Sequence, residues 1–226
     1  LSHTLIGGDV MAQLYDASDY LKESYLYPTV RGERRGSGAF SEPNAAGDLG
    51  GIQTSAVRNG DTYVINGTKT WIGKGHEADH IFVLARMKGT ERREGMTWFV
   101  VDKGTPGFEV GRVIPMMGYT TTAELRFVDC VIPASHRVTP EGRAWDVAQE
   151  TLNHGRLNIG AEVLGMAQRC QDMAVEHSKH RVTFGQPLAD RQGIQLMIAD
   201  SEIEMYAIRS MLYGAAMRAD MGDDIE

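Results

Sequence analysis

The sequence has little cysteine, no long apolar run and no clean basic block, and each absence narrows what it can be. Its two cysteines, Cys130 and Cys170, stand far apart and outside metal-ligand spacing. That fits free thiols in a reducing compartment better than a disulfide scaffold. No apolar run approaches the ~20 residues that a membrane span requires. The basic stretches at Arg31 to Arg35 and Glu91 to Glu94 are mixed with acids, and the net charge is −7. Such a balance argues against a nucleic-acid or anionic-membrane partner. An initiating Met and a signal-peptide pattern are missing too. The chain opens on Leu1-Ser2-His3 and ends on Asp223-Asp224-Ile225-Glu226 just past a helical pattern. It therefore reads as an internal piece of a longer protein, with its true N-terminus absent. What is there is ordinary globular material: 226 residues, 42% hydrophobic and 23% charged, suffice to bury a core.

The hydrophobic period changes twice along the chain. From Gly8 to Gly36 apolar residues recur at helical spacing (Val10, Leu14, Tyr15, then Leu21, Tyr25, Leu26), with Ser18 and Asp19 placed to cap a second short helix. From Gly38 to Pro133 the period is two. Asn59-Gly60-Asp61 and Asn66-Gly67 bracket Thr62 to Ile65, and turns of this kind predict hairpins into Thr68 to Ile72. Further strands are predicted at His80 to Arg86, Met96 to Val101, Phe108 to Ile114 and Leu125 to Ile132. Together they make a compact β-barrel or sandwich of roughly seven or eight strands, with Met87 to Gly95 as a charged surface loop. From Arg143 the helical period returns. One long helix, with the stripe Leu152, Ile159, Val163, Met166, Ala167 and Met173, runs to His180. A second, from about Asp190 to Asp220, carries a broad apolar face from Ile194 to Ala215. Two such helices predict part of a bundle, with the twelve methionines as core filler.

The stretch Gly38 to Asp48 carries the first functional signal. A strand end (Ala39, Phe40) runs into a hydroxyl, a carboxylate and a Pro, and then into Ala45, Ala46 and Gly47, whose small side chains let backbone amides approach a flat ring or a phosphate. Taken alone, such a run is more often a surface turn. His76 and His80 have i,i+4 spacing, but they fall in a turn before a strand, where a metal site is not expected.

Three motifs in order carry a family resemblance. Ser41-Glu42-Pro43-Asn44-Ala45-Ala46-Gly47-Asp48 resembles the Thr-Glu-Pro signature of acyl-CoA dehydrogenases. Tyr63 to Ile72 resembles that family's hairpin with its flavin-facing Trp, and Arg181-Val182-Thr183-Phe184-Gly185 with Gln192 resembles its later FAD segment. The resemblance implies an α+β fold: a remnant of an N-terminal helical domain (1–37), a middle β-barrel domain facing flavin and acyl-CoA (38–137), and the first two long helices of a C-terminal bundle (138–226).

The same resemblance implies roles. The cofactor would be FAD, with Phe40, Ser41, Gly47, Trp71, Ile72 and Gly73 at the flavin ring. Arg181, Thr183, Phe184 and Gln192 would reach the dinucleotide, in the family from a neighbouring subunit, and Arg181 suits its pyrophosphate through bidentate contacts. Gly47, Asn153 and Arg156 would lie along the acyl-CoA substrate. His154 beside them reads as a helix-surface residue. Read without the family, Trp71 is a barrel core residue and Arg181 a surface arginine at a helix end.

Two positions depart from the family pattern, Gly47 where Ser is usual and Gly73 where Ser or Thr is usual, so two hydroxyl contacts are lost while the backbone donors survive. Gly155 stands where one branch of the family places its catalytic Glu. No catalytic residue is therefore assigned within the chain, and the Glu base is expected beyond Glu226. The implied reaction is α,β-dehydrogenation of an acyl-CoA thioester: a carboxylate removes the α-proton, the β-hydrogen leaves as hydride to flavin N5, and electrons pass to an electron-transfer flavoprotein. The implied assembly is a homo-oligomer, dimer or tetramer, in a bacterial cytoplasm or mitochondrial matrix. A flavin oxygenase or nitroalkane oxidase on the same fold, and a non-catalytic binding module, remain as alternatives.

Overall fold

The computed structural model describes residues 17–118 and 121–223, the side chains of 148–152 and 154 apart. Val10, Leu14 and Tyr15, read above as helical, lie outside the described residues, as do the side chains of Leu152 and His154. The chain divides into two compact units, Leu1–Thr151 and Leu152–Glu226.

The first unit begins with α1 (19–30), in which a π-helical turn at Lys22–Leu26 separates two α-helical turns. The Ser18 side chain caps it as expected, accepting the Leu21 amide at 3.4 Å. Seven strands follow: β1 (Gly36–Ala39), β2 (Ser55–Asn59), β3 (Thr62–Gly73), β4 (His80–Met87), β5 (Met96–Asp102), β6 (Phe108–Pro115) and β7 (Thr121–Pro133). β1 and β2 lie in succession along one edge of β4, both parallel to it, and β5 pairs antiparallel along the other edge. The sheet continues from β2 through β3 and β7 to β6. Its outer strands β5 and β6 do not pair with each other among the described residues, so the expected barrel is a curled half-barrel.

The centre of the sheet departs from simple alternation. On β4, Ile81, Val83 and Ala85 face a core with Tyr63, Ile65, Leu125 and Phe127, while Phe82 and Leu84 face a second core with Leu21, Tyr25 and Trp98. A strand covered on both faces reads as a continuous apolar run rather than as an alternating one.

The Gly60-Asp61 hairpin forms as expected, with Asn59 opposite Thr62 and Gly60 at φ +58°. Asn66-Gly67 does not turn. β3 runs straight through it, and opposite it β7 carries one extra residue, with Asp129 at φ +46°. The Asn66 carboxamide fills that irregularity, accepting the Asp129 amide at 2.8 Å and donating to its carboxylate at 3.1 Å. Gly67 is required for a different reason than a turn: a Cβ there would sit 2.4 Å from Thr54 Oγ1 and 2.6 Å from Thr54 Cα. Gly67→Ala is expected to cost roughly 2–3 kcal/mol of unfolding free energy, since backbone as well as side chain must move. Urea denaturation checks this.

The second unit is a helical hairpin formed by α2 (Ala144–His180), within which the unit boundary falls, and α3 (Gln192–Asp220). The helices run antiparallel: Gly160 lies against Leu212, and the Gln171 carboxamide donates to the Ile198 carbonyl at 2.8 Å. A two-stranded ribbon, β8 (Val182–Thr183) and β9 (Gln186–Pro187), joins them. This packing leaves much of the apolar stripe open, as two helices of a partial bundle would. Ile159, Val163, Met166 and Met173 are exposed, and so are Met197, Ile203, Tyr206 and Met211. Two helices shield only the sides they turn toward each other. The reading of the methionines as core filler is corrected, since only Met96 and Met205 are buried among the described ones. Among the described residues no helix is long and apolar enough to cross a membrane.

Candidate functional site

Two segments of the first unit meet at the end of the half-barrel. β1 delivers Phe40, Ser41 and Glu42, and the end of β3 delivers Lys69 to Gly73; the Thr70 amide donates to the Ser41 carbonyl at 2.9 Å. At this point β3 carries one extra residue relative to β7, between Lys69 and Ile72. The bulge throws Trp71 out of the sheet, at φ +61° and 55% exposed. A bulky residue in the left-handed region is strained, and such strain collects at functional sites. The reading of Trp71 as barrel core is thus corrected: the bulge reverses the parity that would have buried it.

Beneath this surface lies an ion pair that the sequence did not disclose. Lys69 is fully buried, and its Nζ donates to Glu42 Oε1 and to the Phe40 carbonyl, each at 2.9 Å. The Glu42 carboxylate also accepts the amides of Gln53 at 2.6 Å and Thr54 at 2.9 Å. Burial pushes the Glu42 carboxyl up, but Lys69 and the hydrogen bonds from Thr54 and Gln53 outweigh that and hold it below its ordinary range. Burial pushes the Lys69 ammonium down to about 8 despite its partner. The only signal in the sequence was the charge itself, a Lys in the middle of a strand.

The remaining residues expected at the ring differ in exposure. Ser41 is half-buried, and Gly47 and Gly73 are exposed, with nothing within 4 Å of where a Cβ would stand. Phe40 is half-buried, packed edge-on against Trp98 at 4.6 Å between centroids. The Ile72 side chain is buried in the half-barrel core, so only its backbone is presented to a ligand. Ala45 is buried, with its amide bound to the Glu42 carbonyl, which leaves Ala46 and Gly47 as the open part of the loop.

In the second unit, Phe184 and Gly185 form the turn of the β8–β9 ribbon at φ +50° and +79°, and Phe184 is 99% exposed. The Arg191 guanidinium donates to the Thr183 carbonyl at 2.5 Å and its hydroxyl at 3.1 Å, and lies 5.7 Å from the Phe184 ring. Arg191 was not singled out in the sequence. Arg181 and Gln192 are exposed at the two ends of this connection. On α2, Arg156 donates to Asn153 Oδ1 at 2.5 Å.

His80 is buried within the first unit. Its ring is buried against Tyr25 and Phe82, neither ring nitrogen has a hydrogen-bond partner, and no group of metal-ligating side chains forms among the described residues. Burial, and the nearby Arg34, push its pKa down to about 4. Between pH 4 and the unfolded value near 6.5 the unfolded chain holds the extra proton, so stability is full above about 6.5 and falls as the pH drops toward 4. The loss attributable to His80 is expected to reach roughly 3 kcal/mol, and His80→Phe should flatten this limb of a stability–pH profile.

The half-barrel with its outward-thrust tryptophan, and the helical hairpin, make a mixed α+β fold. Models of the acyl-CoA dehydrogenase middle domain and C-terminal domain match residues 37–130 and 142–226, and the chain belongs to the acyl-CoA dehydrogenase family. It is 39% identical over 204 residues to a short-chain specific acyl-CoA dehydrogenase of Megasphaera elsdenii, covering 89% of this chain and 53% of that protein. The solved butyryl-CoA dehydrogenase of the same organism superposes with a TM-score of 0.90 at 36% identity, covering 95% of this chain and 57% of that one. An FAD complex of PigA superposes with a TM-score of 0.93 at 29% identity, covering 99% and 60%. The chain thus spans about half the length of the relatives it matches.

Proposed function

We propose that the protein carrying this chain is an FAD-dependent acyl-CoA dehydrogenase that desaturates the α,β-bond of an acyl-CoA thioester. The observation that supports this best is Trp71, an exposed aromatic held in a strained conformation, one residue after Thr70, whose amide bonds the Ser41 carbonyl, and two before Gly73, whose Cβ position opens on free space. A flat ring fits such a ledge: the indole supplies an apolar wall that excludes water, Ser41 a hydroxyl, and Ala46 and Gly47 a close backbone approach. Phe40, Ile72 and Gly73 would border the ring, Ile72 and Gly73 through backbone alone. Arg181, Thr183, Phe184 and Gln192 would hold the dinucleotide of this chain or a neighbouring one, and Asn153 and Arg156 the acyl-CoA. A flavin held there would supply the acceptor for the substrate's β-hydride. Gly155 offers no carboxylate, so the α-proton would be taken by a Glu outside residues 1–226.

Residues 38–137 would then face flavin and acyl-CoA, with 138–226 opening a helical bundle. The apolar faces left open on α2 and α3 suit further bundle helices and a homo-oligomeric contact. Electrons would pass to an electron-transfer flavoprotein.

The full gene product is expected to purify yellow, to bleach anaerobically on adding a short acyl-CoA, and to release the enoyl-CoA. Absence of flavin, or bleaching by no thioester, overturns the reading. Turnover that requires dioxygen would favour the oxygenase branch instead. Residues 1–226 alone should bind flavin weakly and turn over no substrate, because loss of a general base removes about 10²- to 10⁴-fold in rate.

A further inference from the structure

The buried Glu42–Lys69 pair does more than neutralise itself. The bonds that Lys69 makes join the two segments on which Ser41 and Trp71 stand. Lys69 stands one residue before Thr70 and two before Trp71, and its ammonium bonds the carbonyl of Phe40, one residue before Ser41. Glu42, one residue after Ser41, bonds back to Lys69. The Thr70 amide takes the Ser41 carbonyl between them. Three bonds thus tie three consecutive residues, Phe40, Ser41 and Glu42, to two consecutive residues, Lys69 and Thr70. The strained Trp71 follows directly. The second Glu42 oxygen accepts the Gln53 amide, and the oxygen shared with Lys69 also accepts the Thr54 amide, so the carboxylate is anchored from a third segment.

Such an arrangement is costly if its only task is to fill space. A buried ion pair is often no more stabilising than apolar side chains of similar volume, and is best retained where it fixes one geometry. A backbone residue held in the left-handed region likewise persists only where its surroundings over-determine it.

We propose that Glu42 and Lys69 are positioning residues for the flavin-facing ledge: together they hold Ser41 and the Trp71 bulge in one fixed relation, and neither touches the ligand itself. This rests on the flavoenzyme reading for its ligand, but the clamp itself is testable without flavin.

The decisive variant is the double substitution Glu42→Gln with Lys69→Met in the full gene product, which removes both charges and keeps volume. The Gln carboxamide oxygen can still accept one of the Gln53 and Thr54 amides, whereas the other amide and the Phe40 carbonyl lose their partners. Three measurements apply: thermal unfolding, hydrogen exchange of the flavin-free protein, and FAD affinity with visible circular dichroism of the bound flavin. The expected result is a melting temperature within a few degrees of the parent, Thr70 amide exchange at least tenfold faster with β4 amides unchanged, and FAD affinity at least tenfold weaker with an altered flavin dichroism. A double variant with parental melting, exchange, affinity and dichroism overturns the proposal and leaves the pair as core filler. If the double variant does not fold, Glu42→Asp, which keeps the charge and shortens the reach by one methylene, takes its place. It should show the same local exchange and dichroism changes with a smaller loss of stability than Glu42→Ala, and parental exchange and dichroism overturn the proposal equally. A parent protein that binds no flavin overturns the flavoenzyme reading alone, because the exchange arm still decides whether the clamp orders the ledge.

Discussion

Glu42→Ala is expected to cost about 3–5 kcal/mol of stability in the first unit at neutral pH, more than other single side-chain truncations at this end of the sheet, because it strands the Lys69 ammonium without a counter-charge. Lys69 is fully buried, and burial already brings its pKa down to about 8 with Glu42 in place. Without Glu42 the Coulombic attraction and hydrogen bond that raise it disappear, so the folded value falls further. The direction with pH follows. Above the folded value and below the unfolded value near 10.4 the unfolded chain binds more protons, and stability rises with pH. The deficit of Glu42→Ala should therefore be largest where folding must bury a charged Lys69 or strip its proton, should shrink as the pH rises toward the parent's folded value of about 8, and should level off above it, where Lys69 is neutral in both folded proteins. Urea midpoints of parent and variant at several pH values test this. A deficit under about 1 kcal/mol, or one that grows with pH, would show that Lys69 is reached by water or by another acceptor. Lys69→Met leaves the Glu42 carboxylate its two backbone donors, so that variant should lose less.

These two residues also mark where sequence reading stops. The change of period near Ser37 and again near Arg143 was legible because burial on one face leaves a repeat of two in a strand and 3.6 in a helix. The strands expected at His80 to Arg86 and Met96 to Val101 form as β4 and β5, although both are buried on two faces and do not alternate; the rule failed at β3, where a bulge shifts the parity of Trp71. Asn66-Gly67 misled for a related reason. The dipeptide that makes a tight turn also suits a bulged crossing, and only the proximity of Thr54 to Gly67 and of Asn66 to Asp129 distinguishes them. Lys69 could not be read as buried, since the residue that makes its burial tolerable is 27 positions away. On the helical side the apolar faces were legible, but not which parts of them α2 and α3 cover for each other. Of the candidate site, the order Ser41, Trp71, Arg181 came from motif resemblance. The strain at Trp71 and Phe184, which gives those positions a physical reason, is a property of the backbone that no residue pattern records.

Trp71→Gly separates the structural from the functional share of that strain. At φ +61° a glycine is at ease where a tryptophan is not, and the indole is 55% exposed, so folding loses little buried area on its removal. The variant is expected to be as stable as the parent, or more stable by up to about 1 kcal/mol. Flavin binding should move the other way. If the indole covers roughly 100 Å² of a bound ring, its removal forfeits about 2.5 kcal/mol at 25 cal/mol per Å². That is close to a hundredfold in affinity. Trp71→Phe, which keeps an aromatic face and the strain, should fall between the two in affinity and lie near the parent in stability. Thermal unfolding of the flavin-free protein and FAD titration of the full gene product give the two numbers. Stability and affinity falling together would mean that Trp71 packs against its own chain. Parental affinity in Trp71→Gly would move the ring away from this ledge and, with it, the assignment of Ser41, Gly47 and Gly73.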